Sequence, residues 1–190
     1  MDFGIYRALG DEASARALCN DLVVFSQKYP KPDAEPVSFV AMFDQTVADE
    51  PAFASGLWAH LQAMHEADRA QHDWNSAVSP DPVDTSFSFS VGGRAFFVVG
   101  LSPVSSRLSR RAPFPCLVFN FHDQFSLLKA SGKYAGMQSV IRSRDVALQG
   151  FINPSLSNFG DASEARQYAG NLTPADWVCP FKPRVPAHAR

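Results

Sequence analysis

The sequence predicts an α+β fold, in which a mainly antiparallel sheet packs against helices within a single domain spanning residues 1–190. Two segments have the apolar spacing of helices, and another has the strict alternation of a strand hairpin. Helices and strands follow one another without the regular alternation that a parallel sheet requires. A chain of 190 residues is also long enough to bury one continuous hydrophobic core.

Two helices separated by a strand are predicted in the first third of the chain. The first helix covers residues 11–29, and the second runs from about Asp49 to Arg69 with Pro51 in its first turn. The apolar run at residues 38–43 between them is typical of a short buried strand. The side chains expected to face the core are Ala15, Leu18, Leu22 and Phe25 in the first helix and Phe53, Leu57, Leu61 and Met64 in the second.

A hairpin follows at residues 86–99. Phenylalanine and valine alternate with serine up to Val91, which is the period of a half-buried strand. Gly92 and Gly93 supply the turn, because glycine adopts positive φ without steric cost. The return strand, residues 95–99, is almost wholly apolar, which predicts a central position in the sheet.

A further strand is predicted at residues 116–121, followed by a helix that begins near Asp123 with the Asp123 side chain as its cap. This helix directs Phe125 and Leu128 inward and is interrupted at Gly132, after which helical spacing resumes. Beyond Leu148 the pattern is irregular and rich in turns, with one short helix near residues 163–168.

Composition excludes several classes of protein. A net charge of −2 and a pI near 6.2 provide no positive field for nucleic acid or anionic lipid. Three distant cysteines form neither a disulfide framework nor a CxxC zinc pattern. No apolar run approaches the length of a membrane span, and the first residues lack the features of a signal peptide, so we expect a cytoplasmic protein.

Common catalytic motifs are absent from the sequence: it contains no GxxxxGK[ST], GxGxxG, HExxH or GxSxG. His60 and His65 are five residues apart on the second helix and therefore fall on different faces, which is unsuitable for a metal pair. Sixteen phenylalanines indicate a bulky aromatic interior, which either fills the core or lines a pocket for a flat apolar ligand.

Candidate functional residues concentrate between residues 100 and 181, and each has a structural alternative. Arg107, Arg110 and Arg111 lie near several hydroxyls and could clamp a carboxylate or phosphate, or form a solvated basic loop. His122 ends an apolar strand, where it could bind a metal or simply pack and form hydrogen bonds. Cys179 precedes a proline, as some haem thiolates do, or lies buried in a closing turn.

Four further residues complete this set. Arg144 and Asp145 are expected to form a structural ion pair, and Asn153 precedes a proline in a turn that shapes a loop. Glu164 either receives a cationic group or caps the short helix.

Several segments in fixed order resemble the YqcI/YcgG family. They are VGLSPVSSRLSRR, LVFNFHDQF, GKYAGMQSVIRSRD, LQGFINPSL, FGDASEARQYAG and WVCPF, preceded by ADRAQHDW and SFSFSVGGRAFFV. Characterised relatives in that family are haem proteins that hydroxylate nitrogen, including the guanidino group of arginine-like molecules. The resemblance therefore implies a haem-b-dependent monooxygenase acting on a small amine or guanidine, with O₂ as co-substrate and an external reductase as electron source.

The resemblance also implies roles for individual residues. His122 is implied as the axial ligand of the iron, with Cys179 as the alternative ligand. Arg107, Arg110, Arg111, Arg166 and Asn153 are implied to bind the cofactor, the first three through its propionates. Asn120, Glu164 and Tyr168 are implied to take part in catalysis or to brace the pocket.

One departure from the family pattern concerns Ser102, because relatives often have His-Pro where this chain has Ser102-Pro103. If that histidine serves as a haem ligand or proton donor in relatives, this chain has lost that group. A second hypothesis is a haem-binding sensor or carrier without turnover. A metal-free binding domain with an aromatic pocket is a third hypothesis. A homodimer is the default expectation for assembly, since closed pairs are the commonest oligomers.

Overall fold

A computed structural model describes residues 2–31, 36–151 and 162–184. Within these ranges the fold is α+β, as predicted, with five strands and five helices. The strands are β1 (Asp2–Tyr6), β2 (Ser38–Phe43), β3 (Phe89–Val91), β4 (Arg94–Leu101) and β5 (Cys116–Phe121). The helices are α1 (Glu12–Lys28), α2 (Glu50–Asp68), α3 (His122–Ala130), α4 (Lys133–Gln149) and α5 (Ala165–Tyr168).

The strands form one sheet in the order β1-β2-β5-β4-β3. The β1–β2 pair is parallel and the other pairs are antiparallel, which confirms the prediction of a mainly antiparallel sheet. Strand β4 pairs with β5 on one side and β3 on the other, which confirms the prediction that the apolar return strand lies inside the sheet and not at its edge. The sequence analysis missed β1, an edge strand whose Phe3 and Ile5 are exposed.

Helices α1 and α2 form as predicted and begin at aspartate caps. Asp11 accepts a hydrogen bond from the amide of Ser14, and Asp49 accepts one from the amide of Ala52, so each cap satisfies an amide of the first turn. All eight side chains predicted to face the core are buried. They share the core with phenylalanines of the sheet, and Phe25 of α1 stacks on Phe121 of β5 with 4.8 Å between the ring centroids.

The hairpin also forms as predicted, with Gly92 and Gly93 at positive φ in the turn between β3 and β4. However, its serine side is buried rather than exposed: Ser88 is 0% and Ser90 2% exposed. The Ser90 hydroxyl accepts a hydrogen bond from the amide of Asn75. The second face of β3 is therefore covered by neighbouring chain, which the alternation alone did not reveal.

Helix α3 continues directly from β5, and its predicted cap is wrong. No side chain caps its first turn, and Asp123 instead accepts a hydrogen bond of 2.9 Å from Arg94 on β4. Phe125 is half-buried and packs against Phe97, with 5.4 Å between the ring centroids. Gly132, at a φ of 72°, separates α3 from α4 as expected. Among the described residues, no helix combines the length and the apolar character needed to cross a lipid bilayer.

Candidate functional site

His122 lies at the junction of the central strand and helix α3. The preceding Phe121 is buried in the core, so the backbone holds the histidine at the end of the sheet, with its side chain 19% exposed. Burial lowers the pKa of His122 below its usual value, while the charge of Asp123 acts in the opposite direction. The imidazole is therefore neutral at physiological pH, which is the form that binds metals.

Two further candidates, Glu164 and Tyr168, lie beside His122. The Tyr168 hydroxyl is fully buried and donates a 2.5 Å hydrogen bond to Oε1 of Glu164. It also accepts a hydrogen bond from the amide of Phe89 on β3, at 3.1 Å. The other carboxyl oxygen of Glu164, Oε2, is 3.9 Å from Nδ1 of His122. The structure thus brings together three residues that are up to 46 positions apart in sequence.

The electrostatics of this cluster follow from its burial. Burial raises the pKa of Glu164 to about 8, although the hydrogen bond with Tyr168 and the nearby Ser88 hydroxyl act to lower it. Burial and the adjacent carboxyl group raise the pKa of Tyr168 well above its usual value. Near neutral pH the cluster is therefore uncharged, with a protonated Glu164. A carboxylic acid with such a pKa is suited to donate a proton at that pH.

Aromatic side chains surround this cluster. The ring of Tyr168 stacks on Trp58 of α2 at a centroid distance of 5.6 Å. Phe97 contacts both Tyr168 and Phe125, at centroid distances of 5.8 and 5.4 Å, and both phenylalanines are half-buried. Because Phe125 follows His122 by three residues, the two side chains project from the same side of α3. The histidine therefore lies next to an apolar aromatic surface.

Asn120 braces three strands at the end of the sheet. Its amide nitrogen donates to the carbonyl of Phe97 on β4 at 3.2 Å, and its oxygen accepts from the Ser38 hydroxyl on β2 at 2.7 Å. Both polar atoms of the side chain are thus engaged by the protein. These contacts join strands of the sheet, and its predicted parts in bracing the pocket and in catalysis stay predictions.

Arg107 lies 3% exposed and donates a 2.9 Å hydrogen bond to Asp145 of helix α4. The guanidinium also donates to the carbonyl of Gly170. Asp145 therefore pairs with Arg107, and the expectation that it pairs with the adjacent Arg144 was wrong. Successive helix residues point about 100° apart, so Arg144 is exposed where Asp145 is buried.

The other predicted arginines also bind protein carbonyl groups. Arg110 donates to Gly100, and burial lowers the pKa of Arg110 to about 10, with repulsion from Arg107 as a smaller cause. Arg111 donates to the carbonyl of Ser105. Strand β4 thus holds Arg110 and the loop itself holds Arg111, and a role in binding propionates stays a prediction.

Arg166, on α5, holds the loop that leads to Cys179. It donates to the carbonyls of Pro174, Ala175 and Trp177, and its guanidinium lies over the Trp177 ring. Arg166 therefore stabilises this loop, and its predicted part in cofactor binding is untested by these contacts.

The alternative ligand, Cys179, is 4% exposed. Burial raises the pKa of its thiol to about 11, although hydrogen bonding from the amide of Phe181 acts to lower it. The thiol is thus protonated at neutral pH, whereas a metal ligand must be a thiolate. In the metal-free fold, His122 is therefore already in the form that binds a metal, whereas Cys179 would have to lose a proton to do so.

Of the remaining sequence candidates, Ser102 lies away from this cluster and Asn153 lies outside the described residues. Ser102 is buried at the end of β4, where its amide donates to the carbonyl of Arg110 and its hydroxyl accepts from the amide of Val104. It therefore organises the arginine loop. Asn153 lies outside the described residues, and its predicted role is untested.

Sequence reasoning missed three residues of the site, namely Trp58, Ser88 and Phe97. Trp58 follows Leu57 on the buried side of α2, so a wider apolar stripe was the signal for it. Ser88 belongs to the serine series of the hairpin, which was assigned to solvent. Phe97 lies in the apolar run of β4, where no local signal distinguishes a residue beside the site from a residue of the core.

The family model described as the YqcI/YcgG family matches residues 1–182. No curated protein and no solved structure matches the chain.

Proposed function

The chain belongs to the YqcI/YcgG family, and on that premise we propose that it is a haem-dependent monooxygenase. Its substrate would be a small amine or guanidine, of which one nitrogen is hydroxylated. The observation that carries this proposal is the neutral His122 imidazole, which lies beside a protonated carboxyl group and an apolar aromatic surface.

His122 would hold the iron of haem b, and the half-buried rings of Phe97 and Phe125 would contact the apolar macrocycle. When bound, the haem supplies the activation of O₂. The chain itself supplies the ligand, an environment with little water and the orientation of the substrate. Cys179 remains the alternative ligand, which its protonated thiol disfavours.

Glu164 and Tyr168 would manage a proton at this site. The Tyr168 hydroxyl holds Oε1 of Glu164, so the acidic proton of Glu164 is expected on Oε2, the oxygen that faces His122. A protonated Glu164 can donate that proton to an oxygen-containing group, and its ionised form can receive an amine or guanidinium. Both roles require the carboxyl group, whereas Tyr168 acts by positioning it.

The overall reaction fixes the co-substrates. One atom of O₂ enters the N–H bond to give N–OH, and the other leaves as water, which consumes two electrons and two protons. The sequence contains neither of the phosphate-binding glycine motifs of nucleotide cofactors, so a separate reductase would supply the electrons. We place this chemistry in the cytoplasm, where such reductases and amino-acid-derived amines are present.

The proposal is tested in two steps with the full chain. Protein produced with haem available should purify with a Soret band, and absence of both the band and tight haem binding would refute it. Supplied with O₂, a reductant and a panel of guanidines and amines, the protein should then form a product heavier by one oxygen atom. A Soret band without any product across the panel would support the non-catalytic sensor or carrier instead.

A further inference from the structure

Helix α4 presents an apolar stripe to solvent. Residues spaced three and four apart lie on one side of a helix. By that spacing one side of α4 carries Lys133, Met137, Val140, Ile141, Arg144 and Leu148, which we call the α4 stripe. Val140 and Ile141 are each 50% exposed and Leu148 is 53% exposed. Large contiguous apolar patches on a protein surface mark interaction sites, whereas single exposed apolar residues are normal.

The orientation of α4 is fixed by a polar contact at the edge of the stripe. Asp145 lies four residues after Ile141 and three before Leu148, is buried, and pairs with Arg107 in the loop after β4. Because Arg107 is itself buried, this ion pair anchors one edge of α4 to the fold. Val140 and Arg144, which lie farther round the helix from Asp145, are left exposed.

The charge of this region is opposite to that of the whole chain. Residues 122–149 contain four basic and two acidic residues, which gives +2, whereas the chain has a net charge of −2. Both acidic residues are engaged by arginines of other elements, Asp123 by Arg94 and Asp145 by Arg107. The exposed charged residues of the stripe are Lys133 and Arg144, whereas the adjacent carboxylate of Asp145 is buried in its pair with Arg107. Its electrostatic complement is therefore an acidic surface.

A second copy of this chain fits the stripe less well. A symmetric antiparallel contact centred between Val140 and Ile141 would place Lys133 opposite Leu148 and Arg144 opposite Met137. Neither basic group would then meet a carboxylate, so the charges of the stripe would have no counterpart in such a dimer.

We propose that the α4 stripe is the docking surface of an acidic electron-transfer protein, a small iron–sulfur or flavin one-electron carrier. This proposal rests on the proposed function, which requires an external reductase. Helix α4 packs against α3, and α3 begins at His122, the residue proposed to hold the iron. Each docking event would move one electron from the reduced centre of the carrier to ferric haem, giving ferrous haem and an oxidised carrier, with no bond made or broken.

Direct binding tests the surface without relying on turnover. The probe is a plant-type [2Fe–2S] ferredoxin, an acidic one-electron carrier, titrated calorimetrically into the full chain at low ionic strength. Lys133→Glu/Arg144→Glu should weaken binding and so raise the dissociation constant at least about tenfold. Added salt should also weaken wild-type binding, because it screens exposed charges. The matched control, Arg7→Glu/Lys31→Glu, changes net charge equally at exposed positions elsewhere and should have a much smaller effect.

The apolar part of the stripe has its own pair of variants. Ile141→Ser should weaken binding several-fold, whereas Val24→Ser, at an exposed valine on α1, should not. No binding by the wild type, or equal losses in the two charge-reversal variants, would overturn the proposal. A wild-type dimer that Ile141→Ser dissociates would assign the stripe to a second copy and would also overturn it.

These outcomes are separable from the failure of the proposed function. If the protein binds no haem but binds the ferredoxin through the stripe, the monooxygenase assignment fails and the docking surface stands. If it binds haem and forms product while the stripe variants leave ferredoxin binding unchanged, only the docking surface fails.

Discussion

Gly100 on β4 is placed where no side chain fits, and its replacement by alanine gives a sharp test of the packing around the site. A Cβ there would lie 2.7 Å from the carbonyl oxygen of Tyr168 and 2.9 Å from both Cδ1 of Leu57 and Cε1 of Phe53. One of these neighbours is backbone and the others belong to the buried side of α2, so relief requires α2 or α5 to shift. Overpacking of this kind costs about 1–3 kcal/mol.

Urea unfolding followed by circular dichroism measures this effect. With a dependence of about 2 kcal/mol per molar urea, Gly100→Ala should lower the unfolding midpoint by roughly 0.5–1.5 M. Gly136→Ala in α4 is the matched control, because no atom lies within 4 Å of its added Cβ. There the same change should stabilise the helix by about 0.5–1 kcal/mol. A Gly100→Ala midpoint at or above the wild-type value would refute the packing described here.

Three other predictions follow from buried charged or titratable groups. Asp145→Asn should lower the free energy of unfolding by about 3–5 kcal/mol, because it leaves the buried Arg107 charge without its partner, while Arg144→Ala should change it by under about 0.5 kcal/mol in the same urea experiment. Burial lowers the pKa of His60 to about 4, so the free energy of unfolding should fall by up to about 3 kcal/mol as pH falls from about 6.5 to 4. In His60→Asn the free energy of unfolding should depend less steeply on pH over this range. Burial raises the pKa of Glu164 to about 8, so the stability that Glu164 contributes is present below about pH 4.5 and is lost as pH rises through 8. Glu164→Gln should remove that part of the pH dependence of unfolding. An unchanged dependence of stability on pH would contradict a protonated Glu164.

Helices α1 and α2 and the β3–β4 hairpin were predictable because local signals agree there. Apolar spacing, aspartate caps and a glycine pair each determine a short stretch of chain without help from distant residues. Strand β1 was missed because its alternation is inverted: the apolar Phe3 and Ile5 are exposed, whereas Asp2 and Gly4 occupy the less exposed positions. Its place is decided by pairing with β2, which is distant in sequence.

The candidate site was only partly predictable for the same reason. The family resemblance identified His122, Glu164 and Tyr168, but their proximity depends on how α5 packs against the sheet. Asp123 and Asp145 were assigned to local partners, whereas the fold gives each of them a distant arginine. A carboxylate can accept hydrogen bonds from any nearby donor, so its partner is decided by tertiary packing and not by sequence spacing.

Haem ligation by His122 is the central claim, and spectroscopic titration of haem into ligand variants tests it most directly. Wild-type protein and Cys179→Ala should each give a saturable Soret band with similar affinity, and so should the control His72→Ala. His122→Ala, once circular dichroism shows it to be folded, should lose the wild-type spectrum. Retention of that spectrum in His122→Ala, together with its loss in Cys179→Ala, would contradict the account and assign the ligand to Cys179.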